Sequence, residues 1–433
     1  MLADIARLGR ETAVYGLSTV VGRLLNFLLL PLYTHLLAPA EYGVVATAFA
    51  YIAFLNVAYQ YGMDQAYLRF SSPDHGGATR ESFSTPFWSV AAVSSGASLL
   101  LILGAEPLAL GAGVPAWAIR LGAAILALDA LQALPLAELR RDHRAWYYVG
   151  VKIASIAVNV ALNVLLLWRW KLGAEGVFWA SLAASAASLA LLLPVLLARL
   201  ELRFELPLCE RMLRFALPYV PAGLASMSVQ LIDRPILAAM TNDATVGLYQ
   251  ANHRLGIAMA MAVNMFDAAW RPFFLERGAR AGAPELFGRI MTYWVLGASA
   301  LFLALSAFMP ELVRLPLPVS GRPLIHPQYW EGLGIVPVIL FAYLLNGVYL
   351  NFMPQVILPK RSERVAYATA IGAAVCVAAN LLLIPSLGMT GAAWATLLGY
   401  AAMAASLYLF GRRLYPVPYE LGRLAQIAGA LLL

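Results

Sequence analysis

Apolar residues run along this chain in stretches of about twenty or more, and short polar turns separate them. A run of that length, coiled as a helix, crosses the ~30 Å hydrocarbon core of a bilayer. The pattern predicts twelve helices, at 11–36, 43–68, 84–105, 117–138, 146–168, 175–198, 214–240, 247–272, 287–310, 332–358, 364–385 and 390–411. The turns between them carry helix breakers: Ala38-Pro39-Ala40, Ser72-Pro73-Asp74, Gly282-Ala283-Pro284, and Pro323 with Pro327. The ~10-residue alternating segments of a membrane barrel are absent. The fold class is therefore all-α and polytopic. From Leu421 the chain turns apolar again, which reads as the start of a further helix. On this reading the sequence could be part of a fourteen-helix protein.

The runs repeat. A gapless shift of 204 residues pairs Arg7 with Arg211, Arg10 with Arg214, Tyr15 with Tyr219, Pro31 with Pro235, Gly43 with Gly247 and Phe70 with Phe274. A second echo aligns Leu172-Gly173-Ala174-Glu175-Gly176-Val177-Phe178-Trp179-Ala180-Ser181-Leu182 with Leu387-Gly388-Met389-Thr390-Gly391-Ala392-Ala393-Trp394-Ala395-Thr396-Leu397. The expected architecture is two parallel-repeat lobes of six helices, 1–205 and 206–415, around a central cavity, with 416–433 as a tail. An even number of helices per repeat makes both lobes enter from one side, which suits alternating access.

Charge sets the orientation. With the N-terminus inside, inner loops hold 21 of the 30 basic residues, and Arg169, Lys171, Arg314 and Arg322 alone fall outside. That bias places both termini of the twelve-helix block on the cytoplasmic side of the membrane. It also explains the net charge of +7 without a nucleic-acid partner. The chain is 61% hydrophobic and 12% charged, with a mean hydropathy of +0.74, far from a soluble domain. Residues 1–10 are polar, and the first apolar run lacks a small-residue exit site, so it is expected to stay as a helix. Cys209 and Cys376 have neither metal nor disulfide spacing.

Ionisable groups at bilayer depth are costly, so they usually face an interior cavity and carry function. Arg23 lies near the middle of the first helix, with Tyr15, Thr19, Gly22 and Asn26 on its face. The seventh helix carries Tyr219, Ser226, Gln230 and Asp233 on one face, beside Arg234. Asp233 and Arg234 also read as a structural ion pair. The second helix has Asn56, Gln60 and Asp64. The eighth has His253, Arg254, Asn264, Asp267 and Arg271, and the tenth has Asn346, Asn351 and Gln355. Two readings stand for Asp129, a proton or cation site or a partner of Lys152. The candidate substrate-binding set is Arg23, Asn26, Tyr219, Gln230, Asp233, Arg234, Arg254 and Asn346. A guanidinium stays charged and donates a planar fork that fits phosphate, while amides and hydroxyls suit sugars.

No catalytic constellation, phosphate-binding nucleotide loop or metal spacing is present, so neither an enzyme nor a built-in ATPase is expected, and no cofactor or metal is called for. The outer loops are short, and the longest, 311–331, holds only two acids, Glu311 and Glu331.

Arg214-Phe215-Ala216-Leu217-Pro218-Tyr219-Val220-Pro221, then Asp233-Arg234, Val246-Gly247-Leu248-Tyr249 and Arg254-Leu255, resemble the start of the second lobe in Wzx-type polysaccharide and O-antigen flippases. Leu36-Leu37-Ala38-Pro39-Ala40-Glu41-Tyr42-Gly43 resembles their first outer turn, and Asn163 and Asn380, each ahead of a Leu-Gly-x-x-Gly, also fit. These flippases belong to the multidrug/oligosaccharidyl-lipid/polysaccharide (MOP) exporter superfamily. The resemblance covers essentially the whole chain. It implies two six-helix lobes that move undecaprenyl-diphosphate-linked oligosaccharide from the cytoplasmic to the periplasmic leaflet, for lipopolysaccharide or other surface glycan. It implies cationic cavity residues, for which Arg23, Arg234 and Arg254 fit. It also implies partners: the anionic lipid-linked oligosaccharide, membrane lipid, a polysaccharide polymerase or assembly protein, and a coupling proton or sodium ion. The alternative within the superfamily is a cation-coupled multidrug exporter. That branch places an acidic cation site in its first lobe's helices, and the first helix here has no acid between Glu11 and Glu41.

Overall fold

A computed structural model describes residues 22, 27–72, 80–317 and 321–432. Tyr15, Thr19, Arg23 and Asn26 lie outside the described residues. Among those described, nine helices are long and apolar enough to cross a membrane, or ten if one bent pair is a single span. The chain is thus a multi-pass α-helical membrane protein.

It divides into two compact units, Met1–Leu224 and Ala225–Leu433. The boundary falls inside a helix, later than the loop near residue 205 that the repeat suggests.

Unit 1 begins its described part with α1 (Phe27–Leu36). α2 (Pro39–Gln60) starts at a capped turn in which Glu41 accepts from the Ala38 amide at 3.0 Å. The helix expected over 43–68 is broken. Tyr61 and Gly62 both adopt positive φ, and α3 (Met63–Phe70) restarts after them. A Cβ on Gly62 would stand 2.8 Å from the Ala216 carbonyl, so glycine is required there twice over. α4 (Arg80–Leu103), α5 (Ala105–Ala112), α6 (Ala116–Arg141) and α7 (Ala145–Val164) follow. The last runs on as a π turn over Leu165–Arg169. α8 (Gly173–Arg199) and α9 (Leu206–Ala216) complete the unit, with the first part of α10 (Tyr219–Leu231). Tyr67, Phe83, Phe87, Leu126 and Leu134 pack its core. In a bilayer this packing works through van der Waals contact and hydrogen bonds, because lipid tails are as apolar as leucine.

Unit 2 holds the rest of α10, then α11 (Asp233–Met240), α12 (Asp243–Leu255), α13 (Ile257–Arg277) and α14 (Ala283–Arg314). The span expected over 247–272 is interrupted at Gly256, where a Cβ would meet Ile339 Cγ2 at 2.8 Å. A 3-10 stretch, Pro327–Ile335, leads into α15 (Val336–Phe352) and the short α16 (Pro354–Ile357). α17 (Glu363–Leu387) and α18 (Met389–Gly411) pack tightly. Their approach depends on glycine, since a Cβ on Gly372 would lie 2.1 Å from Met403 Cγ and 2.9 Å from the Gly399 carbonyl. The tail forms α19 (Leu421–Leu432).

The two units repeat local detail. Gly173 before α8 and Gly388 before α18 have φ of 57° and 55°. Asn163 and Asn380 are both fully buried, and each donates to the carbonyl four residues back, Asn159 and Cys376, at 2.8 Å.

Candidate functional site

The functional candidates of unit 2 gather where α11, α12 and α18 meet. Asp233 opens α11, and Arg234 follows it. Both are buried, at 1% and 3% exposure. Arg234 Nη1 lies 2.6 Å from Asp233 Oδ1 and also donates to the Gln230 carbonyl at 2.6 Å. Its Nε donates to Gln250 Oε1 at 3.0 Å, and its Cζ stands 5.6 Å from the Tyr249 ring centroid. The Asp233 carboxylate is saturated. Oδ1 accepts from the Arg234 amide and guanidinium, and Oδ2 accepts from Tyr249 Oη at 2.5 Å and Thr396 Oγ1 at 3.4 Å. A buried ion pair holds only when the remaining lone pairs and protons are also met, and here those of the carboxylate are.

This geometry ties α11 to α12 through Tyr249 and Gln250, and to α18 through Thr396. One turn beyond Gln250 on α12 lies Arg254, half-buried. His253 beside it packs on Tyr249 and Tyr343, with ring centroids 5.5 and 6.0 Å away. Gln230 is exposed at the end of α10 and donates to Ser226. Asn346 is half-buried on α15. Of the predicted set, then, Asp233, Arg234 and Gln230 are in direct contact, and Arg254 is their near neighbour on α12. Tyr219 belongs to unit 1, where it is 45% exposed and packs on Phe215. Arg23 and Asn26 lie outside the described residues.

Tyr249, Gln250 and Thr396 were not among the sequence candidates. Tyr249 and Thr396 fall in two quoted motifs, Val-Gly-Leu-Tyr and Trp-Ala-Thr-Leu, and Gln250 directly follows the first.

Unit 1 has its own polar groups at membrane depth. Asp129 on α6 accepts from Ser185 Oγ on α8 at 2.6 Å and from Gln132 at 3.2 Å. No ion pair joins it to Lys152 among the described residues. Asp267 and Arg271 of unit 2 pair along one face of α13 at 2.8 Å.

At the arginine-rich end of unit 1, Glu138 is 1% exposed and lies between Arg141 Nη2 and Arg199 Nε, each at 2.7 Å. Tyr67 also donates to it. Asp142, beyond the end of α6, accepts from Arg141 at 2.8 Å and Arg199 at 3.5 Å. Burial pushes its carboxyl pKa up, but the two arginines outweigh that and hold it below the usual range. Glu138 is not among the sequence candidates.

Among the described residues no three His, Cys, Asp or Glu side chains are grouped as metal ligands. What these clusters can do is hold helices in register and present guanidinium groups to an anion.

Residues 32–272, more than half of the chain, match the sequence profile described as polysaccharide biosynthesis protein. No curated protein matches in sequence. Solved structures share the fold. The inward-facing form of a multidrug resistance MATE family transporter of the MOP superfamily is similar at a TM-score of 0.70 and 13% identity, with 95% of each chain covered. The lipid II flippase MurJ, inward closed, gives 0.73 and 11%, covering 98% of this chain and 90% of its own. The Vibrio cholerae MATE transporter VcmN in its bent form gives 0.57 and 15%, covering 95% and 96%.

Proposed function

Because this chain belongs to the polysaccharide biosynthesis protein family, we propose that it is a transporter, not an enzyme, and that it flips undecaprenyl-diphosphate-linked oligosaccharide across the bacterial inner membrane. The family match over 32–272 is the observation that carries the reading. Transport runs from the cytoplasmic to the periplasmic leaflet, by alternating access of the two lobes with the N-terminus in the cytoplasm.

Arg23 and Arg254 meet the diphosphate, whose oxygens accept the paired N–H groups of a guanidinium. Arg234 has most of its donors engaged by Asp233, Gln230 and Gln250, and it sets the α11–α12 corner beside Arg254. Asn26, Tyr219, Gln230 and Asn346 take sugar hydroxyls. The polyprenyl tail stays in lipid.

The test is a leaflet assay. Purified protein is placed in liposomes with fluorescent undecaprenyl-diphosphate oligosaccharide, and a membrane-impermeant quencher reports the leaflet. Faster exchange than in protein-free vesicles, lost in Arg23→Ala, is the expected result. No acceleration with several glycans, alongside proton- or sodium-linked uptake of an organic cation, would replace this reading with the exporter one.

A further inference from the structure

A pocket of about 520 Å³ opens at the arginine-rich end of unit 1. The start of α4, the C-terminal end of α6, the N-terminal end of α7 and the last turn of α8 form its walls. Arg80, Arg144 and Arg199 line it together with Glu138 and Asp142, and Val195 joins the apolar cluster of Leu139, Val151 and Leu192 beneath. It lies wholly within unit 1 and shares no residue with the transport candidates.

Its two carboxylates are already spent. Glu138 is held between Arg141 and Arg199, and Asp142 accepts from the same two arginines. Arg144 is different. Its guanidinium lies over the Tyr147 ring, Cζ 5.0 Å from the centroid, and among the described residues it has no carboxylate partner. It stands at the N-cap of the 20-residue α7, where no side chain of the described residues caps the helix. The positive end of the helix dipole therefore adds to the arginine. Across the pocket Arg80 has one ion pair among the described residues, to Glu201 at 3.2 Å, and its side chain is 63% exposed. The pocket thus carries a surplus of positive charge and unused donors.

The surroundings suit a lipid. Trp146, 73% exposed, sits at the start of α7 as an interface anchor. Leu193 and Leu197, one turn apart on α8 and flanking the pocket-lining Pro194 and Ala198, are both exposed. A phosphate in the pocket would leave its acyl chains beside these leucines. Basic pockets between membrane helices on the cytoplasmic side are a recurrent site for anionic head groups.

We propose that this pocket binds the phosphate of an anionic membrane phospholipid, with Arg144 and the N-terminus of α7 as its principal donors and Arg80 on the opposite wall. The site is separate from the transported substrate.

Native mass spectrometry of the full chain tests this. Delipidated protein is offered an equal mixture of phosphatidylglycerol and phosphatidylcholine, with and without millimolar inorganic phosphate. Wild type should retain phosphatidylglycerol in preference, and Arg144→Ala should lower that retention about tenfold, as expected for the loss of a charge-assisted, forked contact. Retention that survives inorganic phosphate marks the lipid as the ligand. Displacement by inorganic phosphate would overturn the lipid assignment in favour of a free anion. Equal retention of both lipids, or no change in Arg144→Ala, would overturn the site. Should Arg144→Ala fail to fold, Arg80→Ala reads the same pocket from its other wall, with the same expected loss.

Discussion

Asp233 and Arg234 are neighbours in the chain, and their side chains form a buried ion pair at 2.6 Å. Adjacent residues on a regular helix point about 100° apart, and this pair sits at a helix terminus, as Arg141 and Asp142 do at the end of α6. Ile232 ends the preceding segment, and α11 begins at Asp233. The pair thus lies at the break between α10 and α11, and Tyr249, Gln250 and Thr396 bond to it.

Removing the carboxylate should be severe. Asp233→Ala leaves the Arg234 guanidinium buried without its counter-charge, which costs about 3–5 kcal/mol. The double variant Asp233→Ala/Arg234→Leu should lose less than the sum of the singles, because it leaves no orphan charge. Thermal unfolding in detergent measures both. Strict additivity would mean that the pair is not a unit.

Tyr249→Phe removes one donor from Asp233 Oδ2 and leaves Thr396 as the remaining one on that oxygen. The expected cost is about 1–3 kcal/mol. A companion Thr396→Val should cost less, since its contact at 3.4 Å is longer and its hydroxyl also donates to the Ala392 carbonyl. The reverse ranking in unfolding midpoint would contradict this geometry.

The spans are legible in the sequence because apolar runs respond to the bilayer, and the bilayer is the same along the whole chain. The breaks are less so. At the break after α2 a Cβ on Gly62 would meet the Ala216 carbonyl, and at the break between α12 and α13 one on Gly256 would meet Ile339. Neither neighbour is visible in a local window. The candidate site divides in the same way. Asp233 and Arg234 stand out as charges at membrane depth, but their partner Thr396 is 163 residues away from Asp233 and on another helix. Glu138 has its second arginine, Arg199, on α8, 61 residues away in the sequence.

Asp142 gives a pH dependence outside the membrane spans. Its folded pKa is lowered by Arg141 and Arg199 against the usual 3.8. Its stabilising contribution is therefore complete above pH ~4, where the unfolded carboxyl is also ionised, and fades as pH falls through the lower folded value. The unfolding midpoint of wild type should exceed that of Asp142→Asn at neutral pH, and the gap should narrow steadily on acidification below pH ~4. A gap that widens on acidification would reverse the sign.

α17 and α18 should tolerate no side chain at their closest approach. Gly372→Leu drives atoms into Met403 and the Gly399 carbonyl, and overpacking of this kind costs about 1–3 kcal/mol, or more where backbone blocks the way. Shortening the neighbour in Gly372→Leu/Met403→Ala should restore part of the loss. Equal midpoints for wild type and Gly372→Leu would show that the helices can part freely.

Transport and stability should separate between Arg254 on α12 and Arg234 on α11. Arg254 is half-buried and one turn past Gln250, whereas Arg234 is buried and bonded on three sides. If Arg254 contacts the diphosphate, Arg254→Ala should lower the flipping rate by about 10–100-fold, the equivalent of a lost charge-assisted contact. Its unfolding midpoint should stay close to wild type. Arg254→Lys should recover a minority of the rate, because it restores charge without the planar fork. Arg234→Ala should instead lower the midpoint, and its flipping should fall with the amount of folded protein. The two variants are compared in the quencher assay, normalised to folded protein by size-exclusion chromatography. A normal rate per folded molecule in Arg254→Ala would remove that residue from the substrate path. A lost rate in Arg234→Ala at a wild-type midpoint would place the buried arginine in that path.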